Sequence, residues 1–340
     1  MACMLEFPIL DDLDRRIVMA LQVNGRASWK QIAKALGSTE STVTRRGQQL
    51  LSSRTVAVTG VLDHLRCGLG ISVYMRFRAR PGRAIQVAEA IAALSMPRFV
   101  SVVMGSFDVV AEVVVPSHRD VLVMLDHLER IEDVVESQSA VVIRKFMAFE
   151  EWRPPALDDE VTDFLRTGGC VTDYPHRDWV ESEQLTPQEF AIANMLALDG
   201  RITYAGIASR SGISESTAAR RVESLVKRGC LRFRAVFESP VIGLDLEFML
   251  WLKVEPSQVA AVGQALAKHP ASRYVSAATG SVNIIVQGVL PSYGDLYQYT
   301  TRDIGEVPGI ISADLTLQVR SFKRAWVPIG ENGRPSPPQK

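Results

Sequence analysis

The chain has 340 residues, 47 % of them apolar and 22 % charged, with 38 basic side chains balanced by 38 acidic ones. This is ordinary for a soluble globular protein of two to four domains. No uninterrupted apolar run approaches the ~20 residues needed to span a bilayer, which argues against a membrane helix. Met1 to Pro8 carry no basic segment ahead of an apolar stretch, so no secretory signal is expected. Cys3, Cys67, Cys170 and Cys230 lie far apart without a Cys-x-x-Cys pair, which argues against a disulfide framework or a zinc site. The five histidines are scattered too, so no metal site is expected, and the whole suits a reducing cytoplasm.

In chain order, Leu13, Ile17 and Met19-Ala20-Leu21 recur at the spacing of one buried helix face. Asn24-Gly25 stops this helix, since both residues tolerate the left-handed conformation. Ser28 with Gln31 forms a capping box for a short second helix that ends at Gly37. Thr39 or Ser38 then caps a third helix running through Val43 and Leu50. Three short helices with a tight turn before the third is the helix-turn-helix arrangement. A second pattern follows. Residues 71–79 alternate as a strand, 83–94 read as an alanine-rich helix, and 99–104 and 109–115 are strands split by the turn Gly105-Ser106-Phe107-Asp108. Residues 117–130 are a helix and 134–144 a last strand. The order β-α-β-β-α-β predicts a ferredoxin-like unit.

Residues 10–146 then recur at 185–322. Asn24-Gly25-Arg26 returns as Asp199-Gly200-Arg201, Glu40-Ser41-Thr42 as Glu215-Ser216-Thr217, Arg45-Arg46 as Arg220-Arg221, and Gly105-Ser106 as Gly280-Ser281. The offset is 175 residues, becoming 176 by Phe146/Phe322. A repeat this long is a duplicated two-part module and not a solenoid. The second copy predicts helices at 185–198, 203–210 and 214–227, then the segments 246–254, 257–268, 273–279, 283–289, 292–304 and 310–322. The expected fold class is α+β. Two copies of a winged or three-helix head (10–60 and 185–235) are each followed by a ferredoxin-like domain (68–146 and 243–324). An acidic linker at 147–184 and a disordered tail at 328–340, rich in proline, glycine and charge, complete the chain.

The zero net charge hides segregation. Residues 11–60 hold eight Lys/Arg against four Asp/Glu, residues 185–235 again hold eight against four, and 147–184 hold ten acids against three bases. Two basic segments in equivalent positions suit phosphate backbones. In each third helix, short hydroxyls stand near the start and two arginines follow: Ser41, Thr42, Thr44, Arg45 and Arg46 in the first copy, Ser214, Ser216, Thr217, Arg220 and Arg221 in the second. A recognition helix enters the major groove by its N-terminal half, which requires small polar side chains there. Arginine can then reach phosphates or bind guanine with both forks. A solvated surface helix is the bland alternative for either segment alone. At the strand turns, Gly105, Ser106 and Asp108 are answered by Gly280, Ser281 and Asn283, so a carboxylate has become an amide. An Asp beside a turn is often only a local cap. Gly68-Leu69-Gly70 lacks the full phosphate-binding fingerprint, no catalytic Ser/His/Asp or Cys/His set stands out, and no cofactor is expected.

Leu10-Asp11-x-x-Asp14-x-x-Ile17, then Asn24-Gly25-Arg26, then the Ser/Thr-rich helix with Arg45-Arg46, resemble the DNA-binding domain of the Lrp/AsnC (feast/famine) regulators. Gly105-x-x-Asp108 between two strands resembles the ligand turn of that family's effector domain, of the RAM type. The resemblance covers nearly the whole chain in two copies. It implies a non-enzymatic transcription regulator with double-stranded DNA and a small-molecule effector, often an amino acid, as partners, and effector domains that pair through their sheets. It implies DNA-contacting roles for the recognition-helix residues named above and effector binding at Gly105, Ser106, Asp108, Gly280 and Asn283. It also implies a homodimer or higher homo-oligomer built on an internal pseudo-dimer, and no membrane partner. Two departures stand out. Gly47 replaces an apolar helix residue, which predicts a weaker first head, whereas Val222 keeps the pattern. Asn283 offers a ligand ammonium no charge, which predicts the better amino-acid site at the first turn. Siroheme decarboxylases share the two-part architecture and are the enzymatic alternative. Their second strand pair carries a histidine and an aromatic run, where this chain has Met104 to Val110 and Thr279 to Ile285. A ligand-binding protein with decayed heads is a third reading, opposed by the basic charge that both heads retain.

Overall fold

The computed structural model of the protein describes residues 8, 10–167 and 183–336. Its elements, in order, begin with α1 (Asp12–Val23), α2 (Trp29–Ala35), α3 (Glu40–Ser52) and β1 (Ala57–Leu62). There follow β2 (Ile71–Ala79), α4 (Ala84–Ala93), β3 (Pro97–Met104), β4 (Val109–Val115), α5 (Asp120–Glu129) and β5 (Val134–Met147). Next come α6 (Asp159–Thr167), α7 (Pro187–Leu198), α8 (Tyr204–Ser211), α9 (Glu215–Lys227) and β6 (Leu231–Val236). The last are β7 (Leu246–Val254), α10 (Val259–Ala267), β8 (Ser272–Ala278), β9 (Ile284–Leu290), α11 (Tyr293–Gln298), β10 (Ile310–Arg324) and β11 (Val327–Pro328). The architecture is α+β. The chain divides into two compact bodies, and the division does not follow the two copies. Residues 70–152 join 238–333 in one body; 8–69 and 153–237 form the other, with 334–336.

In the head body, each three-helix unit buries one apolar stripe. Ile17, Leu21, Ile32, Val43 and Leu50 are nearly inaccessible in the first, as are Ile192, Leu196, Ile207, Val222 and Leu225 in the second. The caps follow the sequence. Ser28 accepts from the Gln31 amide at 3.1 Å while Gln31 Oε1 accepts from the Ser28 amide at 2.9 Å, and Thr186 and Glu189 form the same box. The strand that follows each third helix was not foreseen. β1 and β6 pair antiparallel, with Val58 opposite Ala235 and Leu62 opposite Leu231, so the two heads share a two-stranded ribbon.

In the other body, the first copy's strands lie in the order β3-β4-β2-β5 and the second copy's in the order β8-β9-β7-β10. β5 pairs with β8 and β10 with β3, so these eight strands close into one ring. Closure removes the free edges that an open four-strand sheet would present. Period-two alternation splits the strand residues between two cores. Tyr74, Phe99, Val110, Ala140, Met249, Trp251, Tyr274 and Ile285 pack within the ring, and Phe149 joins them. Val73, Met75, Phe77, Val100 and Ala111 face the opposite way, onto Val87, Ala88 and Ile91 of α4 and Met124 and Leu128 of α5. Buried ion pairs stitch the strands. Arg98 meets Glu112 at 2.6 Å, and Ser72 donates to the same carboxylate. In the second copy the acid has moved one strand over: Gln287 stands for Glu112 and Glu247 for Ser72. There Arg324 bridges Glu238 and Glu247, and Arg273 reaches Glu247 at 3.3 Å.

Three expectations are corrected. Residues 147–167 are not a linker: Phe149 and Trp152 are buried, Trp152 Nε1 donates to Pro270 O at 3.1 Å, and α6 docks on the first head, where Asn24 Nδ2 donates to Leu165 O at 2.9 Å. Of the expected linker, 168–182 lie outside the described residues. The tail is ordered through 336: β11 pairs with β10, the Ile329 amide donates to Phe322 O at 2.9 Å, and Arg334 donates to Ser53 O at 3.1 Å; residues 337–340 lie outside the description. Finally, the turn after α1 is not left-handed. Asn24 is extended at φ −146° and its side chain accepts from the Arg26 amide at 3.1 Å. Gly25 is needed for space, since a Cβ there would lie 2.7 Å from Val58 on β1.

Candidate DNA-reading heads and effector turn

α3 starts at its N-cap Thr39, whose hydroxyl oxygen accepts from the Thr42 amide, and α9 starts at Ser214, which accepts from the Thr217 amide. Side-chain oxygens cluster at both starts. Thr39 donates to Thr42 Oγ1 at 2.9 Å, and Ser214 lies 3.0 Å from Ser216 Oγ and 2.8 Å from Thr217 Oγ1. Ser41 and Ser216 are exposed, and Thr42, Thr44 and Thr217 are half-buried. Each helix thus presents a hydroxyl-rich, positively polarised end to solvent.

The arginines divide. Arg45 and Arg220 are exposed and form no ion pair among the described residues. Arg46 instead turns back onto α1 and pairs with Asp11 and Asp14, the latter at 3.0 Å. The Asp14 amide and Arg46 together hold the Asp11 carboxyl below its usual range. At the matching places the second head has Thr186 and Glu189, and Glu189 is taken by its cap and by Arg228 at 3.0 Å. Arg221 therefore lacks the acidic brace that occupies Arg46.

The core contact expected to be lost at Gly47 is supplied by the preceding helix. The ring of Trp29 fills the space, and a Cβ on Gly47 would lie 2.3 Å from it. The second head has Tyr204 and Val222 in those two places, so a larger helix residue accompanies a smaller ring. Both aromatics carry a guanidinium from the other head. Arg201 stacks on Trp29 at 4.4 Å and donates to Gly25 O and Ala27 O at 2.7 and 3.1 Å. Arg26 reciprocates over Tyr204 at 4.8 Å and donates to Gly200 O and Ile202 O at 2.8 and 3.1 Å. The Asn-Gly-Arg motif is thus the clamp that joins the heads, a role that residue spacing does not disclose. Burial and the nearby Arg26 charge lower the Arg201 pKa to about 10.

At the effector turns the two copies differ in what surrounds them. Asp108 Oδ2 accepts from the Ala79 amide at 2.9 Å. Asn283 occupies the equivalent place and bonds both the amide and the carbonyl of Val254, at 2.8 and 2.7 Å. Both are brackets for the strand ends. The first turn is shut: Ser106 donates to Asp314 at 2.8 Å, Arg76 stacks on Phe107 at 4.5 Å, and a Cβ on Gly105 would lie 2.7 Å from Thr316. The second turn is open. Thr279, Gly280, Ser281 and Val282 cover a cavity of about 160 Å³. Its other walls are Tyr74, Arg76, Gln138, Ser139, Ala140 and Trp251, from both copies. Arg76 is almost fully buried there, tied to Gln138 at 2.6 Å and Asp314 at 2.8 Å. A Cβ on Gly280 would meet only Ser139 O, at 3.8 Å.

One body thus pairs two three-helix heads through a ribbon, the other closes eight strands into a ring, and the comparisons with known proteins give the family. The AsnC-type helix-turn-helix domain matches residues 10–51, and a winged helix-turn-helix DNA-binding domain matches 185–232. The Lrp/AsnC ligand binding domain matches twice, at 72–151 and 247–326. The chain belongs to the Lrp/AsnC family of transcriptional regulators, as a tandem duplication of the family's two-domain unit. It is 29 % identical over 144 residues to an uncharacterised HTH-type transcriptional regulator of Pyrococcus horikoshii, covering 42 % of this chain and 89 % of that one. It is 26 % identical over 146 residues to the leucine-responsive regulatory protein of Rhizobium meliloti, covering 42 % and 94 %. Among solved structures, the siroheme decarboxylase NirDL is similar over 92 % of both chains with a TM-score of 0.55 and 15 % identity, a likeness of fold. Among the described residues no helix is long and apolar enough to cross a membrane.

Proposed function

We propose that this regulator reads DNA with two unlike heads in one chain and that a small molecule, an amino acid by class, sets its DNA binding or assembly from the second effector turn. The observation that carries the reading is the head body itself. Two hydroxyl-rich helix starts with exposed arginines are held together by one ribbon and one reciprocal arginine clamp. Paired heads suit two half-sites, and unlike arginine settings suit an imperfect palindrome. Ser41, Thr42, Thr44 and Arg45, with Ser214, Ser216, Thr217, Arg220 and Arg221, are the contacts; Arg46 acts mainly as a brace. Each β-α-β-β-α-β half is of the ferredoxin-like type, and the strand order supports this. The working unit is a homodimer or higher homo-oligomer of this internal pseudo-dimer, in the cytoplasm.

The cavity at the second turn supports the effector class. A buried guanidinium, the hydroxyls of Thr279, Ser139 and Ser281 and the face of Trp251 suit a small zwitterion with an apolar side chain. Its volume of about 160 Å³ falls below the ~300–1,000 Å³ of drug-sized sites and below what a tetrapyrrole needs. No histidine is among its described lining residues. The decarboxylase reading therefore rests on the shared fold alone.

A gel-shift titration against DNA from the upstream region of the protein's own gene, at two salt concentrations, tests the first half. Tight binding that weakens with salt is expected, because phosphate contacts release counterions. Arg45→Ala, Arg220→Ala and Arg221→Ala are each expected to weaken binding several-fold and flatten the salt slope by about one unit, with Arg46→Ala the mildest of the four. An Arg46→Ala loss as large as that of Arg221→Ala would contradict the brace. Absence of any binding would move weight to the decarboxylase fold, to be checked by absorbance after siroheme addition. Calorimetry with single amino acids tests the second half. Ser281→Trp is expected to lower effector affinity at least tenfold and Ser106→Trp to leave it within twofold; the reverse order would return the site to the first turn.

A further inference from the structure

Cys67 and Cys230 are 163 residues apart in the sequence, yet they share one core of the head body. We propose that these two thiols are a reversible redox site that hydrogen peroxide closes to a disulfide. Three observations place the sulfurs together. The Asp63 amide donates to Cys230 O at 2.9 Å, extending the β1–β6 ladder by one rung. The chain then makes one helical turn, with the Cys67 amide donating to Asp63 O at 2.9 Å, which returns Cys67 to the level of Cys230. Cys67 Sγ donates to Cys230 O at 3.6 Å. Both are free thiols and almost wholly buried.

The surroundings make the two sulfurs unlike. Arg228 Nη2 lies 4.0 Å from Cys230 Sγ, and Arg228 is itself held by Glu189 at 3.0 Å and Glu183 at 3.4 Å. The adjacent Cys67 and the Arg228 guanidinium outweigh burial and lower the Cys230 pKa to about 7, whereas the adjacent Cys230, burial and Asp63 push the Cys67 thiol up. Cys230 is therefore the thiolate and Cys67 the resolving thiol. The Cys230 sulfur attacks one peroxide oxygen; an S–O bond forms, the O–O bond breaks, and hydroxide leaves and takes up a proton as water. The Cys67 sulfur then attacks the Cys230 sulfenic acid; the S–S bond forms, the S–O bond breaks, and the Cys67 proton leaves with the departing hydroxide as a second water. The two thiols lose two electrons in total and one peroxide is reduced to two waters. Burial restricts the oxidant to one as small as hydrogen peroxide.

The pair is absent from the pseudo-equivalent place, where Thr55 and Ile242 stand, so it belongs to one half of the duplication. Closure would staple segment 63–69, the chain's path out of the first head's strand, to the start of β6 in the second.

The test uses the full chain with Cys3→Ser and Cys170→Ser, so that only the two thiols remain. After peroxide treatment, denaturation and maleimide labelling, both thiols should be lost together, with a mass lower by two hydrogens, a non-reduced peptide joining residues 67 and 230, and full recovery with dithiothreitol. In the further variant Cys67→Ser, dimedone should trap a sulfenic acid at Cys230. Persistence of both labelled thiols, stepwise gain of oxygens without the cross-linked peptide, or cross-links between chains would each overturn the proposal.

Discussion

Replacing Arg324 with methionine is expected to cost this protein about 3–5 kcal/mol, because it strips a cation from two buried carboxylates. Arg324 Nε donates to Glu238 at 2.7 Å and Nη2 to Glu247 at 2.5 Å, and all three side chains are nearly inaccessible. Arg273 reaches Glu247 at 3.3 Å and donates to Ser239 Oγ at 2.9 Å. The effect carries a pH signature. Burial pushes the Glu247 carboxyl up, but Arg324, Arg273 and the Ser239 hydroxyl prevail and hold it at about 2, against an ordinary 4.5. A folded pKa below the unfolded one contributes stability that is complete above pH 4.5 and is lost as the pH falls towards 2. The variant has less of this term to lose. The gap between wild type and Arg324→Met should therefore narrow on acidification through that window, in urea melts at a series of pH values. A gap that is constant or widens towards acid would show that Glu247 does not depend on Arg324.

The second large effect is in the first head. Gly47→Val should destabilise it by about 1–3 kcal/mol through overpacking, since even a Cβ would enter the Trp29 ring at 2.3 Å. The ring has little freedom to retreat, because Arg201 stacks on it while bonded to two carbonyls of the turn. The double variant Trp29→Tyr with Gly47→Val reproduces the pairing of the second head, Tyr204 with Val222, and should recover most of the loss. Thermal melts of the four proteins form a double-mutant cycle. Additive losses would mean that the two positions do not compensate each other. The same experiment bears on DNA reading, because Trp29 also carries the clamp that unites the heads.

The surroundings of Gly47 lie outside what helix propensity records. Glycine in a helix is costly by propensity, and that argument is sound for an exposed helix. Here its missing side chain is replaced by an aromatic ring from the preceding helix, 18 residues earlier in the chain. At Asp108 the sequence leaves open whether the carboxylate faces a ligand or a backbone amide, and the fold places the Ala79 amide where it donates to Oδ2. Arg46 likewise sits where a recognition helix would spend it on DNA, yet Asp11 and Asp14 on α1 hold it.

The duplication, the three-helix heads, the order β-α-β-β-α-β and the capping residues Ser28 and Thr39 were all legible in the sequence. They rest on interactions two to four residues apart, where periodicity and cap chemistry act directly. Tertiary structure alone decided which copies meet. The β1–β6 ribbon, the closing pairs β5–β8 and β10–β3, the crossed grip of Arg26 and Arg201, the meeting of Cys67 and Cys230 and the opening of the second turn join residues more than a hundred positions apart. Strand edges have unsatisfied amides and carbonyls that must find partners. Which edge supplies them depends on the folded arrangement of both copies, and no local pattern in either copy records that choice.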